Sequence, residues 1–435
     1  FYKASNAMEH IYEFMRTNPD FGLLTNFSVH KGQAIRSSLL LSDENQIIPF
    51  FSHFKNVRSL DFDYKSKAFG LDLILILENC KTFESISVHL NQCFFESIDM
   101  HLFLSNLQCQ ENLRDLTIEI EDIPAEHSLM KWLTSVLDAC PHLETLKIDF
   151  SFLTIEKFFN KVEGENINQK TYSNITSITC CNIFMSTEDF AYFLGGFSKA
   201  QFVQLINCES IDTEVINALK KFHDLRHLEI NTPDLPRAII YSLPSHCEKL
   251  EIINLSKSSI SDEDEIILDS SAFSHYLKVV KLTYCSLSKV WLSKLVSECP
   301  NLEYLQLESI DVLSAEDIKI IANCKELKIL NLCDTFADPE TIVFLLSHLD
   351  KLEELTIGNP DSTDLFEGTD IIMKKVHNNL TTLNMDAPKM SVEQHTTFIA
   401  QFPNLQNVTC LLETCELEKL KEKFPKIEFR NYLSY

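Results

Sequence analysis

Glycine is scarce in this chain of 435 residues, at eight copies. That scarcity argues against flexible glycine linkers between independent domains, and no phosphate-cradling glycine loop is present. No run of eighteen apolar residues occurs, and the richest segment, Leu71 to Leu77, is the length of a buried helix or strand, so no membrane contact is expected. A basic-then-apolar secretion signal is missing as well. The 14 cysteines form no CxxC pair and no Cys/His cluster at zinc spacing, so neither a metal nor a cofactor is expected. Nucleophile motifs, HExxH and EF-hand loops are also missing, which leaves no catalytic residue to name and points away from an enzyme. Basic charge is short: 38 Lys and Arg stand against 63 Asp and Glu, a formal charge of −25. Nucleic acid and anionic lipid are bound mainly through clustered cations, so the balance disfavours both and favours a protein partner with a basic surface.

What the chain has in abundance is one pattern, apolar-x-x-apolar-x-apolar. It occurs as "VRSLDF" at Val57, "FESISV" at Phe83, "LRDLTI" at Leu113, "LETLKI" at Leu143, "ITSITC" at Ile175, "FVQLIN" at Phe202 and "LRHLEI" at Leu225. It continues through "LEIINL" at Leu250, "LKVVKL" at Leu277, "LEYLQL" at Leu302, "LKILNL" at Leu327, "LEELTI" at Leu352, "LTTLNM" at Leu380 and "LQNVTC" at Leu405. "LLTNFSV" from Leu23 and "KIEF" from Lys426 read as a degenerate first turn and a closing strand. The starts recur every 23 to 32 residues, the period of leucine-rich repeats. Within each unit the alternating core predicts a short strand, and the residues after it have helical spacing. In "SAEDIKIIANC", Ser314 is placed to cap a helix, Glu316 and Asp317 suit its first turn, and Ile318, Ile321 and Ala322 form its apolar stripe.

One such unit cannot bury its apolar face alone, so neighbours must stack. The expected fold is an α/β solenoid, an arc with a parallel sheet on the concave side and helices on the convex side. Residues 1–55 are expected to form a helical cap or degenerate first repeat, from "MEHIYEFMR" and "ENQIIPFFSHF", and residues 56–435 to hold about fourteen repeats with a C-terminal cap.

Several units also carry a cysteine ahead of the strand, as in "CPNLEYLQL". Cys80, Cys109, Cys140, Cys247, Cys299 and Cys324 stand three or four positions before the first core residue, Pro141 and Pro300 follow two of them, and Cys285 follows Leu282 by three. On these residues the chain resembles the cysteine-containing leucine-rich repeats of ribonuclease-inhibitor-like solenoids, and is similar to the arrays of F-box ubiquitin-ligase substrate adaptors. The resemblance implies a protein-recognition scaffold with ubiquitin-ligase components among its partners. An F-box would open with a Leu-Pro motif and carry a tryptophan near its end, and residues 1–55 contain neither. An acidic repeat inhibitor or regulator of an enzyme or small GTPase, including a microbial effector of that type, is the alternative.

The six repeat cysteines are expected to be buried, free and structural, since recurrence at one framework position is what packing predicts. A Cys299–Cys324 disulfide is disfavoured by parallel side-chain directions and by the reducing cytoplasmic or nuclear compartment expected for so many thiols. Cys180 and Cys181 should face opposite sides of one strand. The five sequons read as accidents of composition, "SDEDE" from Ser261 as a helix start, and His89 with Cys93 as too few ligands for a metal. The binding residues are the x positions of the strands, which the pleat turns to the concave face. They are Asp61, Asp63, Asp115, Glu119 and Asp149 early in the chain, and Tyr304, Gln306, Glu308, Asn331 and Glu354 later. Tyr304 leads, because buried aromatics anchor interfaces. The polar insertions 162–174 and 358–370 are candidate rim loops.

Overall fold

The computed structural model of the protein describes residues 26–29, 56–63, 70–90, 94–95, 99–121, 129–150, 171–209, 211–232, 243–244, 246–256, 273, 275–285, 287, 289–310, 313–335, 337–358, 377–386 and 390–431. The chain divides into two compact units, Phe1–Ser210 and Ile211–Tyr435. The first holds β1 (Asn26–Val29), β2 (Ser59–Asp63), β3 (Ser85–Leu90), β4 (Asp115–Ile120), β5 (Thr145–Asp149), β6 (Ser177–Cys181) and β7 (Phe202–Ile206). Each pairs in parallel with the next. The second holds β8 (His227–Asn231), β9 (Ile252–Ser256), β10 (Val279–Thr283), β11 (Tyr304–Glu308), β12 (Ile329–Cys333), β13 (Glu354–Gly358), β14 (Thr382–Asp386), β15 (Asn407–Cys410) and β16 (Glu428–Asn431). These too run parallel in chain order. β1 lies inside "LLTNFSV" and β16 begins inside "KIEF". The helix-like segments of residues 1–55, the "SDEDE" run, Cys93 and nearly all of both insertions lie outside the described residues.

The sheet forms because each strand alternates buried and half-exposed side chains, as in Tyr304–Glu308, where Leu305 and Leu307 are fully buried. Buried strand residues meet the apolar stripes of intervening helices. In the first unit Leu73, Leu77, Phe103, Leu107, Trp132 and Val136 line a small apolar cavity against β3 and β4, with no polar group to orient a ligand. The alternate side chains of the strands, on the other sheet face, are half-exposed, and that face is called the open face below. Cap residues start the helices: Asp99, Ser186, Asp212, Ser314, Asp338 and Ser391 each accept a backbone N–H from the first turn. Ser314 forms a full capping box with Asp317, although the α-helix runs only Ala315–Ile318 before tightening into a 3₁₀ turn, Lys319–Asn323.

Neighbouring repeats are stitched at the residue just after the first core position. Its carbonyl accepts two N–H groups of the following repeat: Arg226 O takes Glu251 N at 2.8 Å and Ile252 N at 2.9 Å, and Arg58, Glu84, Arg114, Glu144, Glu251, Lys278, Glu303 and Lys328 repeat the arrangement. The same positions alternate in charge, Arg58–Glu84–Arg114–Glu144 in the first unit and Arg226–Glu251–Lys278–Glu303–Lys328–Glu353 in the second. Ion pairs join Arg58 to Glu84 at 3.1 Å, Arg114 to Glu144 at 3.4 Å, Glu251 to Arg226 at 2.6 Å and to Lys278 at 3.2 Å, and Lys328 to Glu303 at 2.6 Å. Opposite charges on adjacent rungs favour the correct neighbour, and like charges would oppose a skipped repeat.

Two sequence readings need correction. Phe202 is half-exposed while Ala200, Val203 and Leu205 are fully buried, so the repeat begins at Ala200, and the flanking intervals become 25 and 25 instead of 27 and 23. Cys109 is exposed, because the buried framework position lies three residues before the core and is filled by Gln110. Cys181 sits on the open-face side of β6 beside Asp149, yet is 6% exposed, in register between Asp149 and Ile206.

Candidate functional site

The cysteines separate cleanly from the open face. Cys80, Cys140, Cys247, Cys299 and Cys324 are buried and free, as expected, and Cys299 and Cys324 form no disulfide. Burial pushes the thiols of Cys140, Cys247, Cys299 and Cys324 up to about 12, far from the range of a working nucleophile. The framework position serves the preceding helix: Cys247 Sγ lies 3.8 Å from Leu219 O, Gln110 Nε2 donates to Leu77 O at 2.9 Å and Cys80 O at 3.0 Å, and His377 Nε2 lies 2.8 Å from Leu349 O. Cys247, Gln110 and His377 thus each set a polar side-chain atom against a carbonyl near a helix end, while Phe197, Phe222, Leu349 and Phe402 fill the same position with apolar bulk.

All ten proposed binding residues fall on open-face positions of the strands; the side chain of Asp63 is outside the described residues. The early acids are partly engaged by their own sheet. Glu119 lies 3.6 Å from His89 and 3.9 Å from Lys147, and Asp149 accepts from Asn182 at 2.8 Å. Asp115 is exposed and Asp61 half-buried.

Four of the later group, Tyr304, Gln306, Glu308 and Asn331, form one connected network. Tyr304 donates its hydroxyl to Gln306 Oε1 at 3.2 Å; Gln306 Nε2 donates to Glu308 at 2.6 Å and to Thr283 at 3.2 Å; Asn331 Nδ2 reaches Glu308 at 3.4 Å. One strand pair further, Asn384 donates to Glu354 at 3.3 Å. Lys281 Nζ stands 4.8 Å above the Tyr304 ring, a cation–π contact. Burial, followed by the fields of Glu354 and Glu308, holds the Tyr304 phenol above its usual range.

Polar x positions do not make up the whole surface. Ile252, Val279, Tyr304 and Ile329 stand in register on β9 to β12, half-buried, forming an apolar stripe on the open face. The signal was in the strands: "LEIINL", "LKVVKL" and "LKILNL" each carry a β-branched residue at an x position. The corresponding positions of β2 to β6 are Ser59, Ser85, Asp115, Thr145 and Ser177.

Beside the stripe the chain leaves each strand through a left-handed residue, Tyr284, Ser309 or Asp334, at φ of 55°, 54° and 53°. That conformation aims each N–H at the next strand, Tyr284 to Glu308 O at 3.0 Å, Ser309 to Cys333 O at 3.0 Å and Asp334 to Gly358 O at 2.7 Å. Asn182 and Asn207 occupy the same place in the first unit.

Parallel strands in chain order, helices between them and a rung of 25 to 32 residues define each unit as an α/β leucine-rich-repeat solenoid. No family model and no curated protein matches the sequence. Among solved structures the chain is similar to the complex of Rad7 and Elc1 in yeast, with TM-score 0.45 and 14% identity over 99% of this chain and 97% of that one. It is also similar to a TLR13–ssRNA13 complex, with TM-score 0.39 and 14% identity over 84% of this chain and 58% of that one. Likenesses at this level bear on neither mechanism nor partner.

Proposed function

We propose that the chain is a non-enzymatic recognition scaffold that holds a protein partner with a basic surface on its open sheet face. The observation that carries this reading is the apolar stripe of β9 to β12 bordered by Glu308 and Glu354: apolar side chains placed on the solvent side of a sheet raise no stability argument of their own and suit an interface core with a polar rim. A polyanion would meet carboxylates there. Thirteen described cysteines are free thiols, which suits a reducing compartment, and no described helix is long and apolar enough to cross a membrane.

Presentation of the bound protein to a ubiquitin ligase is the form we favour, and inhibition of the bound enzyme or GTPase is the second. Partners recovered from cells by the full chain should lose binding on Tyr304→Ala with Glu308→Gln and keep it on Val290→Ser, a helix-surface control. Equal recovery by both variants would refute the open-face reading. Co-purification with cullin-ligase components supports presentation, and a change in the partner's own activity in their absence supports inhibition.

A further inference from the structure

We infer that binding is anchored at the β10–β12 end of the stripe, where Tyr284 and Tyr304 bracket Glu308 and receive a partner segment that carries an arginine or lysine beside an apolar residue. The inference rests on the open-face reading and specifies its subsite and ligand chemistry.

Tyr284 is the first ground. Its counterparts at the left-handed position are asparagine, serine and aspartate, types whose short polar side chains suit that conformation, whereas a bulky side chain crowds its own backbone there. The strain is not offset by burial, since Tyr284 is 59% exposed, and among the described residues its hydroxyl has no hydrogen-bond partner. A strained, exposed aromatic is a poor choice for the fold and a good one for an interface, where tyrosine supplies large contact area at low entropy cost. Charge is the second ground. Lys281 is the sole cation among the open-face strand residues of β10 to β13, against Glu308 and Glu354, and it is engaged on the Tyr304 ring. Neither glutamate has a lysine or arginine partner among the described residues. Glu308, held by Gln306 and Asn331, presents an oriented carboxylate on the strand that carries Tyr304 and across from the turn that carries Tyr284, and a carboxylate is the charge-assisted partner of a guanidinium or ammonium. Geometry links the two grounds, because Tyr284 donates its N–H to the carbonyl of Glu308 and follows Thr283, which accepts from Gln306.

A random peptide library displayed on phage and selected on the full chain tests this. Enriched peptides should pair Arg or Lys with an adjacent aromatic or aliphatic residue, and their affinity should fall at least about tenfold on Tyr284→Asn and on Glu308→Gln. Tyr284→Asn should unfold at no lower urea concentration than the parent, so its loss of binding is not loss of fold. Peptides that respond to Asp115→Asn or Glu119→Gln instead, or that are acidic, overturn the anchor while leaving open-face recognition standing. Selection of no peptide, or of peptides indifferent to substitutions in both units, overturns both.

Discussion

Reversing one rung of the charge ladder isolates what the alternation contributes. Glu251 lies between Arg226 at 2.6 Å and Lys278 at 3.2 Å, with side chains 27%, 55% and 47% exposed, and the two cations hold its carboxyl below its usual range by hydrogen bonding. At such exposure each pair contributes about 0.5 kcal/mol after solvent screening. Glu251→Lys removes two attractions and installs two repulsions of similar size, so it should cost about 2 kcal/mol in dilute buffer. Urea unfolding is the assay, since guanidinium would itself screen the charges. In 1 M salt, where the screening length falls to about 3 Å, most of the deficit should vanish. Inverting all six signs from Arg226 to Glu353 should restore the parental midpoint, because every neighbouring pair within the run keeps opposite charges and neutral Thr381 occupies the rung after it. A sixfold inversion less stable than Glu251→Lys, or a single reversal silent at low salt, would refute the ladder.

Acid should weaken the second unit through His395, fully buried with Nδ1 3.0 Å from Ser391 O and held by burial below the usual imidazole range. The folded state keeps this ring neutral, so its contribution is complete above about pH 6.5 and declines below it by at most about 1.4 kcal/mol per unit; urea midpoints at pH 7.5 and 5.5 should differ less in His395→Gln. Leu305→Ala should cost about 2–5 kcal/mol and Tyr304→Ala under about 1 kcal/mol, a contrast that thermal unfolding would read and that equal losses would contradict. Thiol labelling of the native protein at neutral pH should reach the exposed Cys109 and Cys415 and spare Cys299 and Cys324 until urea is added; mass spectrometry of the labelled peptides would show otherwise if the framework were loose.

The repeat was legible because two periods coincide in it, the two-residue alternation of a strand and a spacing near 25 residues. It failed where size misled: Phe202 outranks Ala200 in hydropathy, yet the pleat and the 25-residue spacing put Ala200, Val203 and Leu205 in the core. Cys109 failed by one residue, which in a tight turn is enough to exchange a buried for an exposed side chain. Open-face positions followed from the pleat, so Tyr304, Gln306 and Glu308 were found together, but their mutual hydrogen bonds depend on side-chain rotamers and their links to Thr283 and Asn331 on cross-strand register. Ile252, Val279 and Ile329 were hidden by the habit of assigning every apolar residue to the core. Tyr284 gave no signal at all, since nothing in "LTYCSL" shows that its tyrosine takes a left-handed backbone.

The division of each strand into framework and contact residues is tested most directly by hydrogen–deuterium exchange of the full chain with and without a bound partner. Binding should slow exchange in peptides spanning β10 to β12 and the turn at Tyr284, and leave the helix Lys289–Glu298 unchanged. Protection of that helix with no change in the strands would contradict the account.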